Sequence, residues 1–220
     1  MRDDKKFVFI VTYGRSGSTL LMGILNSIPS FRILGENNNM FTMVKKLYIE
    51  ACNNIAASAE MEREFNLHGS QISWWNPQSH ADIKQVFRSF IGGLLDPLDE
   101  FDTVGFKEIR YQKMGRSFES FLIWLHMLTD CRFIFLTRNL DDTCKSMWHA
   151  ENPNCKQELE VFERNMMFFI RANSYIPVFS ITYGDIVDKD LHGLFDFLDV
   201  EYDDDAKDRI EKVLKKKHSY

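Results

Sequence analysis

The sequence predicts an α/β layered fold built on a central parallel sheet, and two observations predict it. Four stretches are apolar runs of strand length: "FVFIV" (7–11), "TVGFK" (103–107), "FIFLT" (133–137) and "PVFSITY" (177–183). Continuous apolar runs, rather than alternation, suit strands covered on both faces, as in a parallel sheet. Helix-like stretches lie between them, and strands alternating with helices mean layered α/β architecture.

Taken in order, the first strand empties into the Gly/Ser-rich turn of "TYGRSGSTLL", with a helix expected over 18–27. Helices are expected next at about 40–65 and 81–95. Between them "NLHGSQISWWNPQSH" (66–80) mixes turn formers with Trp74 and Trp75 and has no helical period. It reads either as a loop over a pocket or as a local packing anchor. After the second strand a helix is expected at 116–128. The third strand is followed by helices at 140–149 and 157–174, and the fourth by one at 185–198. The chain closes on "DDDAKDRIEKVLKKKHSY", read as a charged helix with a solvated face and a basic tail. There are no internal repeats and no low-complexity linker. A chain of 220 residues, 45% hydrophobic, suits one substantial core, so 1–220 is expected to be a single domain.

The formal net charge of −5 provides no global basic field to gather nucleic acid or anionic lipid, so an anionic ligand must be held locally. Cys52, Cys131, Cys144 and Cys155 form no CxxC pair and no regular spacing. Neither a zinc site nor a disulfide framework is expected, and reduced thiols are. His68, His80, His126, His149, His192 and His218 lack metal-ligand spacing, and no metal is expected. The N-terminal apolar run is far shorter than a signal-peptide core or a membrane span, which makes a soluble, cytoplasmic protein the expectation.

A strand that runs through a glycine turn into a helix puts free backbone N–H groups and the positive end of a helix dipole at one spot, which suits a phosphate. The turn is Gly14-Arg15-Ser16-Gly17-Ser18-Thr19. It lacks the lysine that follows the last glycine of a Walker A loop, which disfavours an ATPase or GTPase. Arg15 supplies the cation instead, Gly17 allows close backbone approach, and the Ser18 and Thr19 hydroxyls can donate to oxyanions. "FIFLTRNLDDTCKSMW" repeats this grammar, with Arg138 at the strand exit and Ser146 eight residues on. Exits of parallel strands line one crevice, so Arg138 and Arg15 are expected to face one pocket. Two anion sites on one ligand suit a nucleotide with phosphates at two positions.

On these motifs the sequence resembles sulfotransferases that use 3′-phosphoadenosine 5′-phosphosulfate, and it is similar to their bacterial, carbohydrate and tyrosylprotein branch. The resemblance implies a three-layer sandwich with a P-loop-like nucleotide site. It implies that the turn from Gly14 to Thr19, Ser16 included, cradles the 5′-phosphosulfate, and that Arg138 with Ser146 grips the 3′-phosphate. "NSIPSFRILGEN" is similar to the family's Pro, short strand and acid after the first helix, which puts the catalytic base on Glu36. "TVGFKEIRY" matches a strand lysine near the transferred group at Lys107, with Arg15 as the second catalytic cation. Alternation along that strand turns Glu108 and Arg110 to the face opposite Lys107, to support the site from behind. "ITYGDIVDKDLHGLFDFLDV" resembles the family's Tyr-Glu-Asp-Leu segment and adds Tyr183 to the nucleotide-binding residues.

The implied reaction is in-line sulfuryl transfer to an acceptor hydroxyl of a glycan, lipid, tyrosine or small metabolite, without a metal, with segments 38–100 framing the acceptor pocket. Two features depart from the pattern. The histidine that many cytosolic members carry two residues after the strand lysine is Ile109 here, and the C-terminal Gly-rich motif that contacts the 3′-phosphate has no counterpart. His80 and His149 stand in reserve as bases. The competing readings are a small-molecule kinase of related fold, against which the missing Walker lysine counts, and a nucleotide sensor without turnover.

Overall fold

The structure, a computed structural model, describes residues 4–65 and 80–215. Five strands form one sheet: β1 (Lys6–Val11), β2 (Phe31–Leu34), β3 (Thr103–Glu108), β4 (Arg132–Thr137) and β5 (Val178–Thr182), in the order β2-β3-β1-β4-β5. Every pairing is parallel. β1 is the middle strand, with Phe9 opposite both Phe106 and Phe133 and Val11 opposite Glu108 and Phe135. Its C-terminal end therefore opens between those of β3 and β4, where ligands of open α/β sheets bind.

The helices are α1 (Ser18–Leu25), α2 (Met40–Phe65), α3 (His80–Leu95), α4 (Ser117–Thr129), α5 (Leu140–Cys144), α6 (Cys155–Ala172), α7 (Tyr183–Val187), α8 (His192–Phe197) and α9 (Asp204–Lys215). Successive residues of a strand face opposite sides. Phe7, Phe9 and Val11 accordingly join Phe106, Phe133 and Phe135 in a core closed by apolar side chains of α2, α3, α4 and α6. Val8 and Ile10 join Ile33, Ile134 and Ile181 in a second core under α1, α7, α8 and α9. One sheet between two helical layers is the three-layer α/β sandwich expected from the sequence.

The differences have local causes. β2 escapes the apolar-run criterion because it is a four-residue edge strand whose burial alternates, Phe31 and Ile33 in, Arg32 and Leu34 half out; the family resemblance does place a strand there. The helix expected at 140–149 breaks at Ser146, whose backbone is extended, into α5 and a 3-10 turn over Met147–Glu151. The one expected at 185–198 divides into α7 and α8, with Lys189 between them in the left-handed region at φ 60°. α9 buries Ala206 and Ile210 in the core under α1, so one of its faces is packed rather than solvated. Trp74, Trp75, most of the 66–80 segment and the end of the basic tail lie outside the described residues.

The expectation of reduced thiols is corrected for one pair. Cys144, at the end of α5, and Cys155, at the start of α6, form a disulfide with their Cα atoms 5.8 Å apart. The 3-10 turn folds the chain back between them, a tertiary effect that no short cysteine motif announces. Cys52 and Cys131 are free, and burial pushes the Cys131 thiol well above its ordinary range. No helix among the described residues is long and apolar enough to cross a membrane.

At the N-terminal edge of the sheet the chain is tied by a buried ion pair. Lys5 Nζ lies 2.6 Å from Asp96 Oδ2, both side chains at 0% exposure, and also pairs with Asp99. Asp96 Oδ2 accepts the Phe101 amide at 2.9 Å. Burial alone would raise the Asp96 carboxyl, but hydrogen bonds from Lys5 and from the Phe101 and Glu100 amides outweigh it and hold the group below its ordinary value.

Candidate active site

Beyond β1 the chain is stitched to its neighbours before it turns. Thr12 Oγ1 lies 2.7 Å from both the Leu136 carbonyl and Ser16 Oγ. The Tyr13 hydroxyl accepts the Arg138 amide at 2.9 Å and donates to Glu163 Oε1 at 2.6 Å. Burial, then the bond to Glu163, pushes the Tyr13 phenol far above its ordinary value, so it remains a neutral donor. His149 Nε2 lies 3.2 Å from the Gly14 carbonyl, and a Cβ on Gly14 would meet Trp148 Cζ2 at 2.9 Å.

The turn itself places Arg15 at φ 65° and Gly17 at φ 92°, both left-handed. Alternating handedness of this kind turns consecutive N–H groups toward one concavity, an anion nest. Gly17 is required twice over: its φ favours glycine, and a Cβ there would lie 2.3 Å from Tyr183 Cδ2. α1 starts at Ser18 with no side-chain cap, and the Gly17 carbonyl accepts the amides of Leu20 and Leu21. The Ser18 and Thr19 amides have no intrahelical acceptor, and they stand at the positive end of the helix dipole.

A cavity of about 330 Å³ opens above this turn. Arg15, Gly17, Ser18 and Thr19 border it from the turn and α1, Lys107 and Ile109 from the end of β3, and Arg138 from the end of β4. Glu36 joins them from the segment after β2, with Trp148 and Tyr183 completing the lining. A neighbouring cavity of about 450 Å³ shares Arg138 and Tyr183 and continues over the ends of β4 and β5.

The charges inside are mutually braced. Arg15 Nε donates to Ser146 Oγ at 3.0 Å, and Arg138 Nη1 donates to the Arg15 carbonyl at 3.0 Å. The Arg138 guanidinium sits 4.4 Å from the centre of the Tyr183 ring, within cation–π range. Lys107 Nζ lies 2.8 Å from Glu36 Oε1 and 3.4 Å from Thr19 Oγ1. Arg110 Nη1 stands 3.1 Å from both Glu36 Oε2 and Glu108 Oε1. Lys107 and Arg110 are thus paired with carboxylates, and three cations, Arg15, Lys107 and Arg138, line the cavity with one carboxylate, Glu36.

Of the residues singled out in the sequence, Arg15, Gly17, Ser18, Thr19, Glu36, Lys107, Arg138 and Tyr183 converge on the cavity. Gly14 lies beneath Trp148 instead, and Ser16 is buried with its hydroxyl on Thr12. Ser146 reaches the site through Arg15. Arg110 proves to be beside Glu36 rather than behind the site, because β3 ends at Glu108 and alternation no longer sets its direction. His149 is buried against Gly14. Trp148, 53% exposed on the cavity, was legible as part of the second motif but carried no assigned role. Among the described residues no group of three or more His, Cys, Asp or Glu is arranged to hold a metal ion.

Comparison with known proteins adds a name to this geometry. A family model described as "Sulfotransferase family" matches residues 8–204. Among solved structures, the chain is similar to mouse sulfotransferase SULT7A1 complexed with PAP, at 15% identity and a TM-score of 0.48 over 97% of this chain and 64% of that one. It is also similar to sulfotransferase STF9 from Mycobacterium avium, at 11% identity and a TM-score of 0.47 over 97% of this chain and 68% of that one. The chain therefore spans less than two thirds of the length of the mouse protein. No curated protein sequence matches it.

Proposed function

Because the chain belongs to the sulfotransferase family, we propose that it moves a sulfuryl group from 3′-phosphoadenosine 5′-phosphosulfate to the hydroxyl of an acceptor. The observation that carries this reading is the convergence of Arg15, Lys107 and Arg138 with Glu36 on one cavity at the C-terminal ends of β1, β3 and β4. The donor set suits the nucleotide: a nest and helix N-terminus for one phosphate, and a second arginine for another. When bound, the donor supplies an activated sulfonate and a stable bisphosphate leaving group.

The chain's own residues divide the remaining work. The backbone amides of the turn and the Ser18 and Thr19 hydroxyls hold the 5′ end. Arg15 neutralises charge growing on the leaving oxygen, and Lys107 does the same at the sulfonate. Arg138, oriented by its stack on Tyr183, binds the 3′-phosphate together with Ser146. Glu36 accepts the acceptor's hydroxyl proton. Each of its oxygens holds one cation and keeps a lone pair for that hydroxyl, and Lys107 also has Thr19 within reach. α2 and α3, the described helices of the 38–100 stretch, frame the acceptor side of a single domain, and the acceptor is a glycan, lipid, tyrosine or small metabolite bearing a free hydroxyl.

Calorimetric binding of adenosine 3′,5′-bisphosphate against adenosine 5′-monophosphate and ATP tests the reading, followed by turnover of labelled phosphosulfate with hydroxyl acceptors. A strong preference for the bisphosphate is expected. Equal binding of all three would remove the second phosphate site.

A further inference from the structure

β2 and β3 pair from Phe31 and Thr103 as far as Leu34 and Phe106, and their ladder stops there. Glu36 lies two residues beyond that stop, on a segment whose backbone is unusual. Asn38 and Asn39 are both left-handed, at φ 56° and 58°. Consecutive non-glycine residues in that region are uncommon and persist where the surroundings over-determine them. What holds this segment comes from β3.

The Glu108 side chain is 1% exposed, and both of its oxygens are engaged. Oε2 accepts the Asn37 amide at 3.2 Å and the Asn39 amide at 3.0 Å. Oε1 accepts the Ile109 amide at 2.8 Å, the Arg110 amide at 3.1 Å and Arg110 Nη1 at 3.1 Å. One carboxylate thus grips both sides of the site: the segment that presents Glu36, and the exit of β3 that carries Lys107 and Arg110. It also sits at the N-terminus of α2, whose first turn has no acidic residue of its own, where a negative charge is favoured.

We infer that Glu108 is a positioning residue for sulfuryl transfer: it fixes Glu36 against Lys107 and Arg110 by holding the Asn37 and Asn39 amides on one oxygen and Arg110 on the other. The role in transfer rests on the sulfotransferase reading; the grip on the segment does not. Gln at this position keeps one acceptor oxygen and turns an NH₂ group toward donors, so one side of the grip is lost whichever way the amide faces. Asp keeps the charge on a shorter arm.

The test measures three quantities on wild type, Glu108→Gln and Glu108→Asp: kcat, affinity for adenosine 3′,5′-bisphosphate, and amide hydrogen exchange at Asn37 and Asn39. Displacing a reacting group by about 1 Å costs on the order of a hundredfold in rate, which is the loss of kcat expected for Glu108→Gln. Bisphosphate affinity should stay within about twofold, because none of the donor-binding groups touches Glu108. The Asn37 and Asn39 amides should exchange slowly in wild type and at least about tenfold faster in Glu108→Gln, while β1 amides are unchanged, and Glu108→Asp should recover part of both losses. Wild-type kcat in Glu108→Gln, or parallel losses of kcat, bisphosphate affinity and β1 protection, would overturn the inference. If wild type transfers no sulfuryl group, the functional reading fails, and the exchange measurement still decides the positional one. If Glu108→Gln does not fold, wild type decides alone: exchange of Asn37 and Asn39 at free-chain rates would refute the grip.

Discussion

Asp96→Asn should cost about 3 kcal/mol of stability without loosening the cavity above the turn from Gly14 to Thr19. The substitution keeps an acceptor near Lys5 Nζ, so the hydrogen bond at 2.6 Å can persist while the charge is lost. Breaking a buried ion pair by neutralising one partner costs roughly 3–5 kcal/mol, because the other charge is left without compensation. Lys5 retains Asp99, whose side chain is 33% exposed, which holds the loss to the lower end of that range. For a chain of this length about 3 kcal/mol lowers Tm by roughly 6–12 °C.

Urea unfolding followed by tryptophan fluorescence, at pH 7 and at steps down to pH 3, measures the loss. Acid gives it a signature of its own. The Asp96 carboxyl is held below its ordinary value in the folded protein, so the unfolded chain takes up that proton first as pH falls. Its contribution is complete above the unfolded value of about 4 and drains away as pH falls toward the folded one, so the gap between wild type and variant should narrow below about pH 4. A loss under about 1 kcal/mol at neutral pH, or a gap that does not narrow in acid, would refute the reasoning. Altered bisphosphate affinity would refute the separation of the two ends of the sheet.

Three further outcomes are expected. Arg138→Ala should weaken bisphosphate binding by about 10–100-fold, the worth of a charge-assisted phosphate contact, whereas Glu36→Gln should lower kcat and leave that affinity nearly unchanged; equal affinity losses in both would contradict the assigned roles. Gly17→Ala forces a Cβ to 2.3 Å from Tyr183 Cδ2 at a left-handed φ. It should abolish measurable bisphosphate binding and cost at least about 1–2 kcal/mol by urea unfolding, and pairing it with Tyr183→Ala should relieve the clash but not the backbone cost. Replacing Cys144 and Cys155 together by Ser opens a loop of sequence separation 11. The double variant should lose about 3 kcal/mol by the same assay, in a chain-entropy estimate, and match wild type measured with a dithiol reductant.

How far the sequence spoke depended on whether the signal was local. β1, β3 and β4 were legible because a doubly covered strand is apolar at consecutive positions, whereas β2 hid because an edge strand of four residues alternates. The turn from Gly14 to Thr19 was legible as a strand-turn-helix junction because glycine spacing and the strand before it lie within one short stretch. Its partner Arg138 was legible through a rule about parallel strand exits. The contacts that brace the site were not legible: Lys107 with Glu36, Arg110 with Glu36, Arg15 with Ser146. Each joins positions 71 or more residues apart, which only the strand order brings together. The disulfide is hidden for a related reason, since a 3-10 turn that the helical period did not anticipate folds its loop.

The strand order also sets the two sides of the cavity on different parts of the sheet. The turn from Gly14 to Thr19 leaves β1, flanked by strands on both sides, while Glu36 follows β2 at the margin of the sheet. Between β2 and β3 the chain still packs Phe41, Val44, Ile83, Phe87, Ile91 and Leu95 into the core beneath β1 and ties Asp96 to Lys5, so only its exposed positions vary without disturbing the sheet. On the proposed reading, the exposed positions of α2 and α3 are where a preference for one acceptor can be rewritten while the turn from Gly14 to Thr19 is left as it is.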